Sequence, residues 1–141
     1  MLKGIPPVLS PELLKILMEM GHGDEIVLAD GNFPSASMAK RLARLDGHGV
    51  TVILDAILRL FPLDGYVEKP VAFMAVVKGD DYVPVIQNEY RAIINERAGA
   101  VGIEEMERFA FYERAKQAYA IVATGESARY ANIILKKGVV I

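Results

Sequence analysis

Residues 26 to 29, Ile-Val-Leu-Ala, form an uninterrupted apolar run closed by Asp30. A short run with no polar alternation marks a strand buried on both faces, and a sheet covered on both faces needs helices to cover it. The flanking sequence supplies them. Ser10-Pro11-Glu12 predicts a helix start, with a side-chain N-cap, a proline at the first helical position and an acid in the first turn. Leu13, Leu14, Leu17, Met18 and Met20 form its apolar stripe, and Gly21 is its stop signal. A short helix is expected through Met38, Leu42 and Leu45. A second is expected from about residue 51 to residue 61, burying Val52, Ile53, Ala56, Ile57 and Leu60. Residues 62 to 66, Pro-Leu-Asp-Gly-Tyr, read as a turn. Residues 71 to 77 are strand-like and 84 to 98 helical. In the last third, MERFAF (106 to 111) reads as a strand, YERAKQA (112 to 118) as a helical turn or two, and YAIVAT (119 to 124) and NIILKKGVVI (132 to 141) as strands. No repeat, low-complexity tract or linker interrupts this pattern. The expectation is an α/β chain, one compact domain over residues 1 to 141 with a mixed sheet covered by helices.

Composition narrows the function. A chain of 141 residues is long enough to bury a core without disulfides or metal staples. Mean hydropathy of +0.26 is high for a soluble domain this small, which points to apolar surface hidden against copies of itself. The formal net charge is −2, and the 16 basic residues are scattered; a phosphate backbone would need them clustered, so no nucleic-acid partner is expected. No apolar run approaches the roughly 20 residues that span a bilayer. Three prolines in the first fourteen residues break any signal-peptide layout, so the expected location is cytoplasmic, with no membrane partner. There is no cysteine, which excludes disulfides, thiol catalysis and cysteine-ligated metal. His22 and His48 are the only imidazoles.

The chemistry must come from a few polar residues beside apolar segments. His22 lies between two glycines, which permit unusual dihedrals, and an imidazole is the side chain suited to giving and taking protons near neutrality. The structural alternative is a histidine facing the last carbonyls of the preceding helix. Asp30 closes a buried strand, where a carboxylate is costly unless paired; as a turn residue it would instead cap the following GNFP loop. Asp64 belongs to the Asp-Gly turn. Arg108 and Tyr112 lie four apart and share a face in strand or helix alike, with structural ion pairing the plainer role for Arg108. Tyr130 and Asn132, two apart before an apolar strand, project to one side in extended backbone and offer a hydroxyl and an amide. Phosphate-cradling motifs are missing, His22 and Asp24 lack a third ligand at metal spacing, and Ser10, Ser35, Ser37 and Ser127 lack a nucleophile elbow.

The segments LSPELL, MGHGDEIVLAD, NFP, LFPLDGY, RFAFYERA and TGESARYANIILKKGV, in this order across the whole chain, resemble the L-fucose mutarotase family, which is related to the D-ribose pyranases. The resemblance implies an isomerase that exchanges the α and β anomers of L-fucose, with no metal or organic cofactor. It also implies a homo-oligomer, commonly a decamer, with sites near subunit contacts. Carried over by motif, His22 is the catalytic proton donor. Asp30, Arg108, Tyr112, Tyr130 and Asn132 bind the sugar, Asp30 also being placed to orient His22, and Asp64 and Met74 add contacts. Met74 and apolar neighbours would receive the 6-methyl group of fucose. Ala131 stands where the family has a glycine, so a positive φ there would be strained. Asn32 replaces a histidine common in bacterial members and cannot titrate. Pyran/furan exchange of ribose and simple monosaccharide binding are the alternatives.

Overall fold

In the computed structural model, which describes residues 1–141, the chain runs α1 (Pro11–Glu19), β1 (Glu25–Ala29), α2 (Ser35–Met38), β2 (Leu42–Leu45), α3 (Val50–Leu58), β3 (Val71–Met74), α4 (Val85–Ala98), β4 (Ile103–Met106), α5 (Arg108–Gln117), β5 (Ala120–Thr124) and β6 (Ile133–Lys136). The strands form one six-stranded mixed sheet in the order β2-β5-β1-β6-β3-β4. Only β6 runs against its neighbours, pairing antiparallel with β1 and β3; the β1–β5, β2–β5 and β3–β4 pairs are parallel. The C-terminal ends of five strands and the N-terminal end of β6 therefore share one edge of the sheet. Ligand crevices in open α/β sheets form at such an edge.

The apolar runs are buried on both faces, as strands with a period of two must be when helices cover each side. Ile26 and Leu28 point into the larger core beneath α1, α3 and α4, together with Phe73, Ile133 and Leu135. Val27 and Ala29 point into the other, where Phe33, Phe111 and Ala115 cover them. α1 starts as its sequence requires, with the Ser10 hydroxyl accepting the Leu13 N–H at 3.2 Å and Pro11 in the first turn. It ends at Glu19, two residues short of Gly21.

Several expectations change. No helix passes through Met38, Leu42 and Leu45: α2 is a single turn, and residues 42 to 45 form the edge strand β2 on β5. Four residues are too few for periodicity to separate the two states, and the β5 edge supplies the ladder. MERFAF is likewise not a strand. β4 stops at Met106 because the Glu107 carboxylate accepts the N–H groups of Phe109 and Ala110, capping α5 and making Arg108 its first residue. β3 ends at Met74 rather than at residue 77. Met18, Val52 and Leu60, expected in the core, are exposed.

Candidate active site

Asp30 follows β1 and Asn132 precedes β6, and the antiparallel register sets Leu28 opposite Ile133. The two polar side chains are thereby delivered to the same sheet edge, 102 residues apart in sequence. The Asp30 N–H donates to Asn132 Oδ1 at 2.7 Å, and Asn132 Nδ2 donates to Asp30 Oδ2 at 3.1 Å. A third donor, the Asn32 N–H, reaches Asp30 Oδ1 at 3.0 Å. Asp30 is only 8% exposed. Burial pushes its carboxyl above the ordinary carboxylate value, and hydrogen bonds from Asn32, Phe33, Asn132 and Ala131 only partly oppose this. A carboxylate so placed is a better proton acceptor than one in water.

The same edge gathers four more of the site residues singled out in the sequence, Met74, Arg108, Tyr112 and Tyr130. Met74 ends β3 and faces the smaller core. Arg108 and Tyr112 sit one turn apart on α5, Arg108 Nε donating to the Tyr112 hydroxyl at 3.1 Å. Phe33 stacks edge-on against Tyr112 with centroids 5.5 Å apart. Tyr130 is not extended: its φ is 56°, the left-handed region, and it is the one non-glycine residue so placed. Ala131, where a positive φ would have been strained, has none and is fully buried, its carbonyl accepting the Tyr90 hydroxyl at 2.8 Å. Together these side chains line a cleft of about 210 Å³. Drug-sized ligands occupy pockets of roughly 300–1,000 Å³, so this one has room for a single small molecule. Asn32, Phe33, Val77 and Arg129 complete the wall. Sequence reasoning missed the last two because they come from loops whose position depends on tertiary contacts. Nowhere do three His, Asp or Glu side chains converge as a metal site would require.

His22 and Asp64 lie elsewhere. His22 precedes β1 whereas Asp30 follows it, so the two stand at opposite ends of a strand about 13 Å long from its five residues. Asp64 adjoins the far end of β6, through the Leu63–Lys137 bridge. There the His22 ring nitrogen Nε2 lies 3.1 Å from Asp64 Oδ1. Asp64, and not Asp30, orients His22 within the chain. A carboxylate can only accept, so Nε2 carries the proton and Nδ1 is left free. Asp64 is 4% exposed, and its carboxyl is held below the ordinary range, first by the Tyr66 N–H and also by His22. Gly23, with φ 87°, provides the tight loop that turns His22 outward, and Asp24 closes that loop by accepting the Gly21 N–H at 2.7 Å. The preceding helix is capped by Met20 N–H on the Ile16 carbonyl, so His22 is not its cap.

Residues 3–140 match the model of the RbsD / FucU transport protein family. The chain belongs to this family. Among RbsD/FucU relatives, an L-fucose mutarotase of Actinobacillus pleuropneumoniae is 54% identical over 140 residues, covering 99% of this chain and 97% of its own. A crystal structure of the fucose mutarotase of Streptococcus pneumoniae in complex with L-fucose superposes with a TM-score of 0.95 at 58% identity, over 99% of this chain and all of that one. The Bacillus subtilis RbsD structure complexed with D-ribose is further away, with a TM-score of 0.71 at 27% identity over 94% of this chain and 95% of its own. Within the RbsD/FucU family the chain thus stands nearer the fucose proteins than the ribose one.

Proposed function

We propose that the chain is an L-fucose mutarotase that exchanges the α and β anomers by general acid/base ring opening and reclosure. The carrying observation is the buried carboxyl of Asp30, raised in proton affinity and fixed at the floor of a cleft sized for one sugar. The names of relatives more than half identical along nearly the whole chain support fucose over ribose. Tyr112, Tyr130, Asn132 and Arg108 offer hydroxyl, amide and guanidinium groups to the sugar hydroxyls, and Met74 an apolar contact to the 6-methyl group. That last contact contributes modest selectivity, since one methyl is worth about 1–3 kcal/mol.

In this mechanism Asp30 takes the proton of the anomeric hydroxyl while a protonated His22 gives one from Nδ1 to the ring oxygen. The bond between the ring oxygen and the anomeric carbon breaks as the carbonyl forms. Rotation about the bond to the aldehyde carbon and reclosure on the other face, with the protons returned, yields the other anomer. General acid/base assistance of this kind contributes about 10²- to 10⁴-fold. A proton donor must lie within roughly 3 Å of its acceptor, and the length of β1 keeps His22 far from the cleft of its own chain. The catalytic His22 therefore comes from a neighbouring copy in a homo-oligomer, proposed to be a cytoplasmic decamer.

Saturation-transfer NMR of L-fucose tests this. Wild type is expected to exceed the buffer exchange rate and His22→Ala to return close to it; unchanged exchange in the variant removes His22 from the mechanism. Acceleration of ribose pyran/furan exchange without any effect on fucose would select the sister activity. Binding by calorimetry without faster exchange would select a sugar-binding module.

A further inference from the structure

The segment between β3 and α4 contains a carboxylate that the proposed mechanism does not use. Asp80 sits in a turn closed by its own N–H on the Val77 carbonyl and by Asp80 Oδ1 accepting the Tyr82 N–H at 2.9 Å. Its other oxygen accepts the Tyr130 hydroxyl at 2.6 Å and an Arg129 guanidinium N–H at 2.6 Å. The Tyr130 oxygen in turn accepts the Val77 N–H at 3.3 Å. The Tyr82 ring packs on the Tyr130 ring with centroids 5.8 Å apart, and the Arg129 guanidinium lies 4.6 Å over the Tyr82 ring. At the other end of the same residue, Gln87 Nε2 donates to the carbonyls of both Tyr130 and Met74, each at 3.0 Å. Tyr130 is thus held at hydroxyl and carbonyl while its backbone stays in a conformation costly for an aromatic residue.

A tyrosine hydroxyl has one proton. When that proton is donated to a carboxylate at 2.6 Å, and the Val77 N–H takes one lone pair, the oxygen has one acceptor lone pair left for anything else. Tyr130 and Val77 both line the cleft, which puts that remaining lone pair within reach of a bound sugar. We infer that Asp80 is a positioning residue: it accepts the hydrogen bond of the Tyr130 hydroxyl, fixing Tyr130 as a hydrogen-bond acceptor that selects a sugar hydroxyl able to donate. This rests on the sugar-binding reading above, and concerns a residue outside the set proposed to touch substrate. The low proton affinity of Asp80, set first by the Tyr130 hydroxyl and then by the Tyr82 N–H, agrees with a carboxylate that stays ionised to do so.

Asp80→Asn separates this role from simple support of the loop. Asparagine keeps an oxygen for the Tyr82 N–H but turns an N–H₂ toward Tyr130, which frees the tyrosine proton to point at the sugar. Affinities of wild type, D80N, Y130F and the double variant would be measured by calorimetry against L-fucose and its series of deoxyfluoro analogues, in which one hydroxyl at a time loses its ability to donate. Exchange at saturating sugar would be followed by NMR. D80N is expected to lose roughly five- to twentyfold in fucose affinity, the worth of one positioned hydrogen bond, with a smaller change in the saturated rate. The double variant is expected to bind no more weakly than Y130F alone. Wild type should discriminate against one fluorinated position, and D80N should narrow that ratio. Additive losses in the double variant, or an analogue profile in D80N identical to wild type, overturn the inference and leave the mutarotase reading standing. Failure of wild type to bind fucose overturns both, and is read first.

Discussion

Asp30 and Asp64 are both nearly buried aspartates, yet their surroundings push them in opposite directions. Burial dominates at Asp30 and raises its proton affinity, whereas the Tyr66 N–H and His22 lower it at Asp64. For Asp30 the native state binds its proton more tightly than the unfolded chain does, so its contribution to stability is complete below the ordinary aspartate value of about 3.9 and is lost as pH rises through the raised native value. For Asp64 the sign reverses: the contribution is present above about 3.9 and is lost as pH falls through the depressed native value. Catalysis by an ionised Asp30 must therefore switch off on the acid side at a pH above the ordinary aspartate range. Exchange rates at subsaturating fucose, which follow kcat/KM and report the free protein, are expected to show such an acid limb in wild type, and Asp30→Asn to lose both the limb and most of the rate. A wild-type acid limb at or below the ordinary aspartate value would remove Asp30 as the base.

The elements that carry the site differ in how much of them the sequence discloses. β1 is plain, because a continuous apolar run ending in a carboxylate has few other uses, and α1 is plain because Ser10 and Pro11 are adjacent start signals. The start of α5 is not. In MERFAF the apolar and aromatic content, Met106, Phe109, Ala110 and Phe111, suits a strand, and the competing signal is one side chain, the Glu107 carboxylate closing on the N–H groups of Phe109 and Ala110. That capping decides on which turn Arg108 and Tyr112 meet. Glu107→Ala is expected to cost about 1 kcal/mol of stability in chemical denaturation, the usual worth of an N-cap. It should also weaken fucose binding, because Arg108 is the first residue of the helix and frays with it. Equal affinity in the variant would show that Arg108 keeps its place without the cap. The left-handed Tyr130 was hidden for a related reason. The family glycine next to it draws attention to Ala131, whereas the positive φ falls on the residue held by Asp80 and Gln87, which lie about 50 and 43 residues away. No local pattern announces contacts of that range.

At the scale of the whole molecule the sheet places its two polar clusters apart. Asp30, Asn132, Tyr130 and the α5 pair share one edge, and His22 with Asp64 the other. Sequence order places His22 and Asp30 only eight residues apart, which suggests proximity; the intervening strand turns that separation into distance, because extended backbone advances about 3.3 Å per residue. If both groups act on one sugar, they come from different chains, and a mixed oligomer must then behave differently from its parents. Chains carrying His22→Ala retain a working cleft, and chains carrying Asp30→Asn retain a working imidazole. Co-expressed with different affinity tags and purified through both, they form sites in which a good cleft meets a good His22. Random assortment of equal amounts makes roughly one site in four competent when each site draws on two neighbouring copies of a symmetric ring. The mixed oligomer is expected to recover about that fraction of the wild-type exchange rate, well above either parent variant. A site confined to one chain allows no recovery at any mixing ratio, since every cleft would then lack one of its two proton-transfer groups.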